Sequence, residues 1–409
     1  MEAGSQKRQI SMAIDIQYTD VAVVGAGPAG LCFARALAGS GLSITVIDPA
    51  AAAELARPAF DGREIALTHA SRRRLEALGI WPRLPEEEIS ALRDAWVFDG
   101  DSTEPMRISH RDGGAEQLGF LVPNHRIREA AYAAFASTGE TSLLTGRRVL
   151  SVERGNGAHD LLLDDRSRIR ARLVIAADSR FSSTRRAFGI AARQRDFGRS
   201  MLVCRMALEK DHDHVAWEWF GRDQTLALLP LNGREASAVI TLPHAEIERL
   251  SKLDDEAFND EVSERYQHRL GHMRRVSERK LYPLVGVWPD RLVVPGFAAI
   301  GDAAVGMHPV TAHGFNLGLA SVDALSRRMV SACRQGRDFG ADGLLQSYQR
   351  EHRRTSAPLY LATGMVVGLY TSNSLPARWL RRAALRGAGR LPPFRRLIAR
   401  TLTDRSAVR

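Results

Sequence analysis

A chain of 409 residues with 44% hydrophobic and 25% charged side chains can bury a sizeable core, and its composition excludes disorder, collagen and a small disulfide scaffold. Its 57 basic and 47 acidic residues leave a formal charge of +10, which points to a nucleic-acid or anionic-membrane partner only if the excess gathers on one surface. Three well-separated cysteines, Cys32, Cys204 and Cys333, form no C-x-x-C pair, so they read as small apolar residues of a reducing compartment and not as a metal site.

The first twenty residues carry Glu2, Lys7, Arg8 and Asp15 without an apolar run of secretory length, so no signal peptide is expected and residues 1–18 read as a flexible N-terminus. Residues 21–24 then read as a buried strand, 29–40 as a helix and 43–47 as a second strand, a βαβ opening. Between the first strand and the helix lies Gly25-Ala-Gly27-Pro28-Ala29-Gly30. Gly25 permits the tight turn, Gly27 lets a pyrophosphate approach the backbone, Gly30 lets the helix pack on the strands, and Pro28 suits the first helical turn. Asp48 ends the second strand, where a carboxylate accepts hydrogen bonds from an adenosine ribose.

A second motif, residues 173–185, is a buried strand that delivers Asp178 into a polar turn ahead of a helix. From 200 to 242 short strands at 216–220, 226–231 and 236–242 alternate with charged or Gly/Asn turns, an antiparallel sheet inserted into the α/β body. Within it Trp217 and Trp219 flank Glu218 and share one wall of that sheet. Helical periodicity returns at 254–270. The third motif, residues 297–318, is a strand ending in Gly301-Asp302, a loop of small residues carrying His308, Pro309 and His313, and a helix beginning near Gly314. A carboxylate at a strand's carboxyl end can hold a ribityl hydroxyl, and the helix amides can stabilise charge on a reduced ring. The uncharged stretch 355–377 holds Pro358, Gly364, Gly368 and Pro376 and is too broken to span a membrane; 359–370 reads as a buried or surface-lying helix with a turn at 371–374.

These three motifs, in this order and spacing, resemble the group A FAD-dependent aromatic hydroxylases, whose fold is that of para-hydroxybenzoate hydroxylase. The resemblance covers residues 19–403. Residues 60–71, 78–81, 122–128 and 226–231 look like the ubiquinone-biosynthesis branch (UbiH, UbiF), and 301–316 is similar to the demethoxyubiquinol hydroxylases of the UbiM group. It implies a Rossmann-type FAD-binding domain over 19–190 with inserted segments of the substrate domain, a substrate-binding sheet over 191–290, a return to the FAD-binding domain over 291–355, and C-terminal helices over 356–409. It also implies that Gly25, Gly27, Pro28, Ala29, Gly30 and Asp48 bind the ADP half of FAD, with Arg63 near the phosphates or the ribityl chain. Asn124 or Arg128 would contact the ribityl region, Asp178 would support the turn, and Asp302 would hold the ribityl chain. Pro309, Gly314, Phe315 and Asn316 would surround the isoalloxazine.

Three departures stand out: Ser179 replaces the glycine that usually follows the second-motif aspartate, Val305 replaces a histidine, and Ala312-His313-Gly314 replaces Gly-Gln-Gly. His308 and His313, with Pro309 beside them, are the catalytic candidates because imidazole titrates near neutrality; the alternative is loop packing. The activity implied is hydroxylation of an electron-rich ring through a flavin hydroperoxide, with dioxygen as co-substrate, no metal, and NAD(P)H docking transiently because no second nucleotide fold is present. The substrate implied is a polyprenylated phenol or quinol; the alternatives are a soluble phenol or polyketide, or a weakly catalytic FAD-binding partner in a quinone-biosynthesis complex.

The charge is not spread evenly. Beyond residue 372 there are ten arginines against the single acid Asp404, arranged as two basic amphipathic segments around Pro392-Pro393. That tail implies peripheral attachment to the cytoplasmic side of an inner membrane or to a quinone-biosynthesis complex, rather than nucleic acid; the other reading packs its apolar stripes on the enzyme.

Overall fold

The structure, a computed structural model, describes residues 16–371 apart from 101, 103, 140, 222 and 308–312. His308, Pro309 and the basic tail therefore lie outside the described residues.

The hydrophobic run at Val21–Val24 is buried on both faces, which suits the middle of a parallel sheet. Its strand, Ile16–Val24, pairs in parallel with Ile44–Asp48 on one side and Arg168–Ala176 on the other. Thr141–Thr145 extends the sheet beyond Ile44–Asp48, and Phe297–Ala299 extends it beyond Arg168–Ala176, both in parallel. Helices Pro28–Ala36, Asn124–Ala136 and Gly314–Arg334 cover this sheet and share its core through Leu31, Phe33, Ile127, Phe135, Val322 and Leu325.

A second sheet runs in the order Met273–Arg275, Ala192–Leu208, Glu235–Pro243, Thr225–Pro230, Val215–Phe220, Asp94–Asp99 and Met106–Ser109, with Lys280–Pro289 also on the long strand Ala192–Leu208. It is antiparallel except where Val215–Phe220 runs parallel to Asp94–Asp99, a pairing between segments more than a hundred residues apart. One face carries a separate core of Trp217, Trp219, Phe98, Leu228, Ile240, Phe258 and Tyr266, closed by helices His244–Lys252 and Asp255–Arg265. The two tryptophans thus share a face as their spacing requires, and it is the helix-covered one. A small third sheet, Glu64–Leu67, Gly119–Pro123 and Ser90–Leu92, completes the body.

The expected helix at 359–370 is only the end of a longer one, Asp342–Thr371, which passes straight through Pro358. A proline inside a helix costs about 3 kcal/mol. Packing on both sides offsets it: Tyr348, His352 and Ser356 are buried before it, and after it the Tyr360 ring packs at a tilt against Trp288, centroids 4.6 Å apart. No helix among the described residues is long and apolar enough to cross a membrane.

Candidate active site

Four strands lie side by side in the order Ile44–Asp48, Ile16–Val24, Arg168–Ala176 and Phe297–Ala299, all parallel. Their carboxyl ends deliver Asp48, Gly25, Asp178 and Asp302 to one edge of the sheet, so the three motifs, distant in sequence, converge there. Ligands of open parallel sheets bind at this carboxyl edge.

The glycine turn is built by contact. Gly25 adopts φ +109, and a Cβ on it would lie 2.5 Å from the Ala177 carbonyl oxygen; a Cβ on Gly30 would lie 1.9 Å from the Gly25 carbonyl oxygen. Around Gly27, by contrast, the space where a Cβ would go is open to at least 4 Å. Helix Pro28–Ala36 begins there without any side-chain cap, and the first-turn amides of Ala29 and Gly30 lack helical partners. That is an anion cradle, and a pyrophosphate fits it. Asp48 accepts the Ala26 amide at 2.6 Å and the Ala50 amide at 2.8 Å, which pins the turn to the second strand and leaves its remaining lone pairs for ribose hydroxyls.

Asp178 supports the first turn of helix Ser183–Ala187, whose N-cap is Ser182: its Oδ2 accepts the Thr184 amide at 3.1 Å and the Thr184 hydroxyl at 2.9 Å, while Oδ1 is buried without a partner among the described residues. Ser179 takes φ +88, the conformation that the missing glycine would have adopted freely. Ser179→Gly is therefore expected to stabilise the fold by about 1 kcal/mol, read as a higher melting temperature with flavin content unchanged.

Asp302 accepts a hydrogen bond from Arg180 Nη2 at 2.8 Å and keeps 39% of its side chain accessible. Arg180 also donates from Nη1 to the Val285 carbonyl, joining the second and third motifs to a strand of the second sheet. Arg63 pairs with Asp61 at 2.6 Å and lies 5.4 Å above the Tyr282 ring. Burial pushes the Arg63 pKa down, but Asp61, and further off Tyr282 and Asp302, raise it above its ordinary value. Asp302 is thus near enough to Arg63 to favour its charge. Burial raises the Asp61 carboxyl, yet Arg63 and Asn124 outweigh it and hold the group below its usual range.

The side chain of Asn124 is committed to Asp61: Nδ2 donates to its Oδ2 at 2.7 Å, and the residue is buried. Arg128 sits half-buried one helical turn further on. Gly314 opens the third-motif helix, Phe315 packs on the main core, and His313 occupies the N-cap position without a side-chain cap bond to the helix. Asn316 faces the small sheet: Oδ1 accepts the Thr68 amide at 3.1 Å and Nδ2 donates to the Ala66 carbonyl at 2.8 Å, fixing the register of the helix.

Sequence reasoning missed Asp61 and Arg180, although both lie inside or beside quoted motifs. It also missed Glu64 and Arg205, which are 141 residues apart and meet at 2.8 Å with the Glu64 side chain fully buried. No local signal announces that pair.

The chain matches the model of the FAD binding domain family over residues 18–360. It is 44% identical to "Ubiquinone hydroxylase UbiM" of Neisseria meningitidis over 94% of this chain and 85% of that protein. It is 33% identical to "Ubiquinone hydroxylase UbiL" of Rhodospirillum rubrum over 94% of this chain and 89% of that one. Among solved structures, the fold resembles PqsL of Pseudomonas aeruginosa, with TM-score 0.76 at 20% identity over 91% of this chain and all of that one. It resembles p-nitrophenol 4-monooxygenase PnpA of Pseudomonas putida equally, with TM-score 0.76 at 13% identity over 95% of this chain and 99% of that one.

Proposed function

Because the chain belongs to the FAD binding domain family, we propose that it hydroxylates the aromatic ring of a polyprenylated ubiquinone precursor, as in demethoxyubiquinol hydroxylation. It is an FAD-dependent aromatic-ring monooxygenase. The observation that carries the reading is the convergence of Asp48, the glycine turn, Asp178 and Asp302 at one sheet edge. The two relatives named ubiquinone hydroxylases support the substrate class.

FAD, when bound, activates dioxygen and supplies one oxygen atom to an electron-rich ring, with NAD(P)H as the source of electrons. The chain's own residues bind and orient. The amides of Ala29 and Gly30 would take the pyrophosphate, Asp48 the adenosine ribose, and Asp302 with Arg63 the ribityl end. Gly314, Phe315 and Asn316 would border the ring system. The substrate ring would lie against the second sheet on the face away from its helices, a largely apolar wall from which a bound ring would displace water.

Attachment at an inner-membrane surface follows the same logic, since a polyprenyl tail resides in lipid. The arginine-rich stretch beyond residue 372 supports it, as do Leu361 and Met365, which are 63% and 68% exposed one helical turn apart. Complementation of strains blocked at each ubiquinone ring hydroxylation, with the restored quinones identified, tests the assignment. Restored ubiquinone in at least one strain is expected. Turnover of soluble phenols with no strain restored would overturn the substrate class.

A further inference from the structure

Side chains alternate along strand Val215–Phe220: Val215, Trp217 and Trp219 enter the helix-covered core, so Ala216 and Glu218 face the other way. Strand register places Glu218 in a row with Val97, Ala227, Val239 and Val203. The neighbouring row on the same face runs Ala95, Ala216, Leu229, Ser237 and Arg205. Arg205 reaches across to Glu64 and lies over Phe60, and Tyr282, from the adjoining strand, donates to the Asp61 carbonyl. The Arg205 and Tyr282 end of this face therefore meets residues 60–64, and Glu218 stands on the same face three strands further along.

Its covering is uneven: on the Arg205 side Ser237 is buried, and Val203 is buried in a small core with Met201 and Leu284, whereas the part around Glu218 is half covered. Val97, Ala216, Glu218, Ala227, Leu229 and Val239 are all half-buried, whereas their neighbours on the opposite face, Trp217, Trp219, Leu226, Leu228, Ala238 and Ile240, are buried. Around Glu218, between Val97 and Ala227, the face is thus a half-covered, largely apolar wall that carries a carboxyl. Of the other charged groups on this face, Arg205 is held by Glu64, Lys280 by Glu278 and Arg199 by Asp223, while two further carboxyls, Asp99 beside Phe220 and Glu235 opposite Ala207, stand away from the Glu218 row. Glu218 itself has neither a hydrogen bond nor an ion pair among the described residues. An ionised carboxylate in apolar surroundings is costly without a partner, and burial pushes this one up to about 8.

We propose that Glu218 is a catalytic residue of the substrate cleft, accepting the hydrogen bond and then the proton of the ring hydroxyl. The proposal rests on the ring-hydroxylase reading above. In the step, the ring O–H bond breaks, its proton passes to a Glu218 carboxylate oxygen, and the electron pair stays on the ring oxygen, where it enriches the carbon to be hydroxylated. That carbon later gives its own hydrogen up as a proton to solvent water, the ring oxygen recovers one from Glu218, and the carboxylate is restored. A carboxyl titrating near the working pH suits such an exchange, and the charge-assisted bond to the hydroxyl is the partner that the cleft itself does not provide.

The test uses Glu218→Gln in the flavin-loaded protein, with 4-methoxyphenol as the equilibrium probe and a short-chain demethoxyubiquinol as substrate. Flavin content and melting temperature are expected to match the parent. Affinity for 4-methoxyphenol, followed by tryptophan fluorescence, should rise about tenfold from pH 6.5 to 9 in the parent and stay flat in the variant. Turnover should fall by about 100-fold or more with KM little changed, and the pH profile should lose its limb near 8. A variant within threefold of parental turnover, still binding the probe with the parental pH dependence, would overturn the proposal. A parent that holds flavin yet hydroxylates no quinol would instead overturn the underlying reading, while the probe titration would still decide the role of Glu218.

Discussion

A Gly30→Ala protein should purify almost free of flavin. The added methyl would sit 1.9 Å from the Gly25 carbonyl oxygen, a distance that no real contact allows, and that carbonyl cannot yield because Gly25 is itself lodged against the Ala177 backbone. Helix Pro28–Ala36 would have to retreat from the strands, carrying its first-turn amides away from the phosphates they serve. Overpacking of this kind costs about 3 kcal/mol at its upper end, which as lost affinity is about 100-fold. Flavin-to-protein absorbance after incubation with excess FAD reads the effect. Gly27→Ala separates fold from ligand: its methyl meets no protein atom within 4 Å, so the melting temperature should hold while FAD binding alone weakens. Full flavin occupancy in Gly30→Ala would refute this account of the turn.

Arg205→Ala should be the most destabilising single truncation outside the glycine turn, at about 3–5 kcal/mol. It would leave the Glu64 carboxyl, whose side chain has no accessible surface, without its partner, and it would also remove the guanidinium stacked 5.1 Å from the Phe60 ring. Burial already raises the Glu64 pKa even with Arg205 in place, the arginine only partly opposing it. Without the arginine the carboxyl rises further and the fold accepts it only when protonated. A group whose pKa is raised by folding contributes stability below its unfolded value and loses it as pH climbs through the folded one. The deficit of Arg205→Ala should therefore be smallest near pH 5 and grow toward pH 8, as thermal melts at both would show. Adding Glu64→Gln should recover part of the loss at pH 8, since the buried charge is then gone; a double variant no more stable than Arg205→Ala there would argue against a charge penalty.

The cofactor edge was legible because each of its parts is local. A strand, a glycine turn and a helix occupy consecutive residues at 21–36, and Asp48, Asp178 and Asp302 each stand at the end of a strand whose apolar run is continuous in sequence. Even the departure at Ser179 could be read, since the turn demands a positive φ whatever residue fills it. The sequence places a helix only at 359–370 because local propensity sets Pro358 as a boundary, whereas the buried Tyr348 and the Trp288–Tyr360 contact on either side of it support one helix over Asp342–Thr371. Glu64–Arg205 and the surroundings of Glu218 could not be read at all. Alternation along residues 215–220 sorts the side chains into two faces, but which face meets helices and which is left half covered depends on strands at residues 97, 203, 227 and 239.

The three strand-end aspartates share one property. Asp48 is held by the amides of Ala26 and Ala50, Asp178 by Ser183 and Thr184, and Asp302 by the guanidinium of Arg180. Each carboxylate already stands in a fixed rotamer, so little torsional entropy remains for it to lose when a hydroxyl arrives. Ordering even a short side chain on association has an entropic cost, and at this edge of the sheet folding has met it in advance.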